Sequence, residues 1–300
     1  MKIDWVHSPR ASALHAARVL VLGLTPMDRH LPTIVGPVIG QLDSLLREMR
    51  PGSPRNPWED LISWSVQASS ATDLVTSFAT RGGLSAKDPG WSLLAAKIAE
   101  WERLFRELYP KLAEQLPLRS KPLQELWEGY GGGLLAHVGR LTERELLVDR
   151  ADVVVVHPVL GGFGVAHLHD NRVRWEAVLT NVIPELPEIV RLAWTLSQLH
   201  LDLPMHSEAI AQSRLDAVAA IAMVPPVLAA GQIVELNRID EATVALAIDQ
   251  WQIPIPRSME TSWELSQTIL SWWETYLQTR PPWRVAMMAL DRMLLSENVH

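Results

Sequence analysis

The sequence predicts a mainly α, multi-helix globular protein that carries a small antiparallel β-sheet or hairpin insertion at about residues 152–180. Three observations predict it. Apolar residues recur at three- and four-residue steps along most of the chain, the period of an amphipathic helix. Helix-start pairs precede several of these runs, among them Ser8–Pro9, Asn56–Pro57 and Asp88–Pro89. "DVVVVHPVL" at 152–160 then changes the texture to β-branched residues, the mark of a buried strand.

Taken in order, Ser8 caps a helix over 9–24, because its hydroxyl accepts an orphan amide and Pro9 lacks one. A less regular helix covers 32–50, weakened by Gly36, Pro37 and Gly40, and "RPGSPRNP" forms a turn-rich connection after it. Asn56 with Glu59 opens a long helix whose Leu61, Trp64, Ala68, Val75 and Phe78 share a face until Gly82 and Gly83 end it. The most regular helix follows Asp88–Pro89, where Leu94, Ile98, Trp101, Phe105, Leu108 and Leu112 make a seam that needs a helical partner.

"LPLRSKP" at 116–122 is the candidate boundary between an N-terminal helical region, 1–118, and a C-terminal helical region, 119–300, which contains the hairpin; one continuous domain is the alternative. "GYGGG" at 129–133 reads as a break. Thr142 with Glu145 forms a capping box, and Leu141 with Leu146 has the spacing of a hydrophobic staple. Helical periodicity returns at 186–202, 206–224, 240–251, 261–278 and 282–296, with a second capping box at Thr261 and Glu264.

Composition narrows the function classes. A chain of 300 residues with 48% hydrophobic and 20% charged content builds a packed core. A net charge of −7 without a basic block argues against nucleic acid and anionic lipid as partners. The absence of cysteine removes disulfides, thiolate nucleophiles and thiolate metal sites, and fits a reducing cytoplasm. "ALHAARVLVLGL" lacks a basic leader and is interrupted by His15 and Arg18, while the apolar stretches at 153–166 and 218–231 contain proline and fall short of a bilayer span. The sequence therefore predicts no membrane segment. Most of the 13 tryptophans sit at core-like positions, and the adjacent Trp272 and Trp273, with Trp283, leave at least one for a partner surface.

Chemistry concentrates in "LGGFGVAHLHDNRVRWEAVL" at 160–179. With Asp170 and Asn171 at the centre of a tight turn, His169 faces Arg172, His167 faces Arg174 and Val165 faces Glu176, while Ala166, Leu168, Val173, Trp175 and Ala177 form the apolar face. The polar face has three readings. It is a solvated sheet surface, a divalent zinc or manganese site on His167, His169 and Asp170 with Glu176 in reserve, or an anion clamp of His167, His169, Arg172, Arg174 and Glu176. The arginines oppose the cation reading because they stand opposite its ligands. His157, alone on the valine strand, reads as a satisfied core residue.

His137, then His169–Asp170, then an aspartate such as Asp216 or Asp240 follow an order that resembles the H…HD…D order of the helical HD-domain metal phosphohydrolases. That family places its His–Asp pair on a helix, whereas glycine, proline and valine surround the pair here. No H-E-x-x-H, G-x-S-x-G, Walker loop or dinucleotide fingerprint appears. Glu143, Glu145, Asp149 and Asp152 alternate with Arg144 and Arg150 as a solvated helix end does, so no catalytic pair is assigned. The expectation is a noncatalytic cytoplasmic interaction or scaffold protein with a protein partner or a second copy of itself. The alternative is a metal-dependent hydrolase or anion-binding enzyme centred on the hairpin.

Overall fold

The computed structural model describes residues 1–29, 31–50, 56–85, 88–179 and 183–295, so most of the "RPGSPRNP" connection lies outside the described residues. Helices dominate, and one four-stranded sheet lies among them. Its strands are β1 (Lys2–His7), β2 (Arg150–Val156), β3 (Gly164–His167) and β4 (Arg172–Glu176), in the order β1-β2-β4-β3. Between β1 and β2 run α1 (Pro9–Val21), α2 (Leu31–Met49), α3 (Pro57–Ser65), α4 (Ala71–Arg81), α5 (Pro89–Leu108), α6 (Leu112–Leu126) and α7 (Gly132–Leu141). After β4 come α8 (Glu188–Leu196), α9 (Pro204–Ser207), α10 (Gln212–Ala222), α11 (Val224–Ile233), α12 (Glu241–Gln250), α13 (Ser262–Thr279) and α14 (Trp283–Leu295).

The sheet is mixed rather than antiparallel. Only β3 and β4 run antiparallel; β1 pairs with β2 and β2 with β4 in parallel. Parallel neighbours need a crossover, and the whole run from α1 to α7 supplies it between β1 and β2. The residues ahead of the apolar run of α1 are therefore a strand, and its Ile3 and Trp5 pack against the core. β2 is central and buried on both faces, which explains its unbroken valines.

Caps hold where a side chain meets an orphan amide. Ser8 accepts from Ala11, Asn56 from Trp58, Asp88 from Gly90 and Thr261 from Glu264. Thr142 and Glu145 cap no α-helix; Thr142 donates back to the Val138 carbonyl and Arg144–Leu146 is a single 3₁₀ turn. The helix expected from 56 to 82 is two helices, because Ser70 caps a new start by accepting from Asp73. Conversely, "LPLRSKP" lies inside α6, with Leu116 and Leu123 buried, so two prolines sit within a helix held by its packing. "GYGGG" does not break the chain either. Trp127–Gly131 makes a π turn that continues into α7, and a Cβ on Gly131 would lie 2.4 Å from the Trp127 ring.

The seam of α5 buries Leu94, Ile98, Trp101 and Phe105 against α1, α2 and α4. Trp64, Trp101, Trp251 and Trp272 are buried as expected, but so are Trp273 and Trp283, which form one aromatic cluster with Trp272 and Tyr276. Trp263, 47% exposed, is the tryptophan that reaches the surface instead. Gln212–Ile233 is a helical run long and apolar enough to cross a membrane, and 72% of its apolar window is buried inside the protein.

Candidate functional site

The hairpin is shifted by two residues from the expected pairing. His167 faces Arg172, Val165 faces Arg174 and Gly164 faces Trp175, because Leu168–Asp170 forms a 3₁₀ turn and Asn171 adopts the left-handed conformation (φ 48°). A slip of two preserves the faces, since side chains alternate with period two. His167, Arg172, Arg174 and Glu176 therefore still share one side of the sheet.

That side is not solvated. Glu176 is 0% exposed, Arg174 2%, His167 4% and Arg172 5%, because α1 and α3 lie across it. Burial forces each charge to find a partner. Glu176 accepts from His15 Nε2 of α1 at 2.7 Å and from the backbone amides of Leu160 and Gly162, each at 2.8 Å. Positive φ at Gly161 (83°) and Gly162 (135°) folds this loop around the carboxylate. Burial alone would raise the Glu176 pKa, but the His15 hydrogen bond and the two amides bring it below the usual range. Burial lowers His15, which donates as a neutral ring. Glu176 is thus a structural anchor for the loop.

The arginines are equally committed. Arg174 Nη1 lies 2.9 Å from Glu59 Oε2 of α3, and Arg172 donates to Asp152 at 3.2 Å and to the Ser63 carbonyl at 3.0 Å. Each guanidinium already has a carboxylate, so the expected anion clamp is filled from within. Burial would raise Glu59, but Arg174 outweighs it, with Arg18 assisting, and holds Glu59 at about 2. Asp170 accepts from Ser63 Oγ at 2.5 Å and from Trp64 Nε1 at 3.1 Å, which pins the turn to α3. His169 Nε2 lies 3.3 Å from Asp60 Oδ1 and 3.5 Å from Asp170 Oδ2.

Among the described residues no group of three or more His, Asp or Glu side chains is gathered as metal ligands, so His167, His169 and Asp170 do not form a ready cage. Asp170 is spent on α3, and Arg174 stands beside His167. The His137, His169–Asp170 and Asp216 or Asp240 order is likewise not a cluster. His137 lies on α7, His169–Asp170 in a 3₁₀ turn, Asp216 on α10, and Asp240 caps α12 by accepting from Thr243. His157 goes elsewhere: its ring packs on Tyr109 at 4.3 Å between centroids and lines a separate cavity.

What the hairpin does build is a cleft. A cavity of about 400 Å³ runs along consecutive residues Phe163–His169, with Asn56, the cap of α3, and Glu59 and Asp60 of α3 on one side. Trp194 and Gln198, Gln212, Asp216, Ala217 and Ala220 of α10, and Trp251 to Pro254 line the other. Trp194 and Trp251 stack with centroids 5.0 Å apart. Glu59, Asp60, Asp202 and Asp216 line it, and among the described residues no Lys or Arg does. His167 Nε2 is buried at its wall with no hydrogen-bond partner, while Glu59 Oε2 beside it is held by Arg174. Burial, with Arg174 next, holds His167 at about 4, so the ring is neutral at pH 7.

The sequence points to His167 and His169 but gives no sign of the α3 carboxylates or the C-terminal helices. Acidic residues after an N-cap are ordinary helix-start chemistry, so Glu59 and Asp60 carry no separate signal. Trp194 and Trp251 read as core residues, which they are; only the fold shows that they also floor a cleft. Compared with known proteins, the chain matches no family model, no curated protein and no solved structure, so the role of this cleft rests on its own geometry.

Proposed function

We propose that the chain is a noncatalytic interaction protein whose recognition site is the cleft between β3, α3 and the C-terminal helices. One observation carries the reading: His167, neutral and 4% exposed, presents a buried nitrogen without a partner at the wall of a concave, partly aromatic cavity. A buried polar atom without a partner is costly, and a ligand that completes its hydrogen bonding recovers that cost. The protonation states favour binding over proton transfer. A general acid or base works best with a pKa near the working pH, whereas His167 stands at about 4 and Glu59 at about 2. Internally paired arginines also speak for a donor-bearing or cationic ligand rather than an anion.

Native mass spectrometry of untagged protein gently isolated from its source cells tests this. The expected result is a bound species whose mass is unchanged after incubation at neutral pH, and which is lost in Ala217→Trp, a variant that fills the cleft without touching the buried ion pairs. Retention of the species in that variant, its conversion to a smaller product, or a metal-sized mass lost on His167→Ala with His169→Ala would contradict the proposal.

A further inference from the structure

The backbone of β3 shows which way its hydrogen-bonding groups point. The Glu176 amide donates to the Phe163 carbonyl at 2.8 Å, so 163 and 176 are a hydrogen-bonded antiparallel pair. Alternation makes Val165 with Arg174 and His167 with Arg172 the next such pairs. Gly164 and Ala166 are the intervening residues, and their N–H and C=O groups turn away from β4. β3 is the edge of the sheet, and among the described residues no backbone or side-chain hydrogen bond reaches those groups. Open strand edges are usually blunted by charge, proline or a covering element. This one is small-residued and uncharged; both residues line the cleft, Ala166 partly exposed and Gly164 buried.

Resting on the cleft as the recognition site, we propose that its occupant is an extended segment of a partner protein, added as a strand beside β3, with basic and apolar side chains alternating. Strand addition supplies affinity through backbone groups and specificity through the alternate side chains. The two sides of the cleft set the alternation. Side chains of the added strand on the His167 side meet the α3 wall, where Glu59 and Asp60 are already paired with Arg174 and His169 but bring, with Asp202 and Asp216, four carboxylates to a lining that among the described residues holds no Lys or Arg. Lysine or arginine suits that acidic lining. The other side is that of Gly164, where a Cβ would touch Trp175 and Thr195 of α8, and there Trp194, Ala217, Ala220 and Trp251 favour apolar side chains. The lining without Lys or Arg gives the field its sign, and the buried, unpartnered His167 nitrogen supplies a further hydrogen-bonding group.

The test uses a fluorescein-labelled, end-blocked pentapeptide alternating valine and lysine, with binding to the full chain read by fluorescence anisotropy. Binding is expected for this peptide and not for its glutamate counterpart. N-methylation of the amides in one alternating set should weaken binding at least about tenfold, while methylation of the other set leaves it nearly unchanged, because only one set bonds to the edge. Ala166→Pro should weaken binding similarly. Proline is tolerated on an edge strand where the N–H faces outward, so the β3–β4 ladder survives; if that variant does not fold, the methylated peptides alone decide. Equal affinities of the two methylated peptides overturn strand addition. If the pentapeptide fails while the native bound species is present and sensitive to Ala217→Trp, strand addition falls and the recognition site stands; if both are absent, both fall. A mass that doubles with concentration and blocks the pentapeptide puts a second copy at the edge and also overturns the proposal.

Discussion

Glu176→Ala is expected to destabilise the protein by about 3–5 kcal/mol, the usual consequence of removing one member of a buried charged network. The carboxylate is fully buried and accepts from His15, Leu160 and Gly162, so alanine strands two backbone amides and an imidazole together. Glu176→Gln retains an acceptor oxygen and similar volume, and should cost about half as much. Urea unfolding of the three proteins measures this. Because the amides belong to the loop leading into β3, the alanine variant should also loosen that edge strand and the cleft beside it. A loss below about 1 kcal/mol would mean that water replaces the carboxylate and that Glu176 does not hold the loop.

The second large effect is acid sensitivity. Burial, with Arg174 next, holds His167 at about 4, and burial, with Arg119 next, holds His157 at about 4. Both lie below the ordinary 6.5, so between pH 6.5 and 4 the unfolded chain binds protons that the folded chain refuses. Stability is therefore full above pH 6.5 and declines as pH falls through that window. Each histidine accounts for a loss of about 2 to 2.5 kcal/mol between pH 7.5 and pH 4.5, against a typical total stability of about 5–15 kcal/mol. Glu59 extends the decline. Its folded pKa of about 2 lies below its ordinary 4.5, so its contribution is present above pH 4.5 and fades as pH falls toward 2. Chemical unfolding at pH 7.5 and 4.5 checks the sign and size. A His157→Gln, His167→Gln variant should lose more than half of the difference, and an unchanged difference would show that these two rings are not the groups held neutral.

The α class was legible because it rests on local signals. Ser8, Asn56, Asp88 and Thr261 announce helix starts through groups within three residues of one another, and the α5 seam repeats over a single helix. The errors fall where tertiary packing overrules local preference. Pro117 and Pro122 read as a break between two helical patterns, yet the buried Leu116 and Leu123 hold them within α6. β1 pairs with β2 across almost half the chain, a partnership without a local signature. At the hairpin, the face was legible because period two survives a slip of two, and the burial was not, because α1 and α3 come from far away in sequence. Arg172 and Arg174 look like surface charges until Asp152 and Glu59 are beside them. The cleft was least legible of all, since its walls come from α3, β3, α10 and the end of α12.

Residue-resolved amide hydrogen exchange across β3 in the free protein tests most directly that this edge is open for recognition. Alternation is expected: Val165 and His167, bonded to β4, exchange slowly, while Ala166 between them, partly exposed in the cleft without an acceptor, exchanges fast. Equal, strong protection at these three amides would contradict it, because the edge would then be closed by the protein's own chain and the cleft would have no strand to offer.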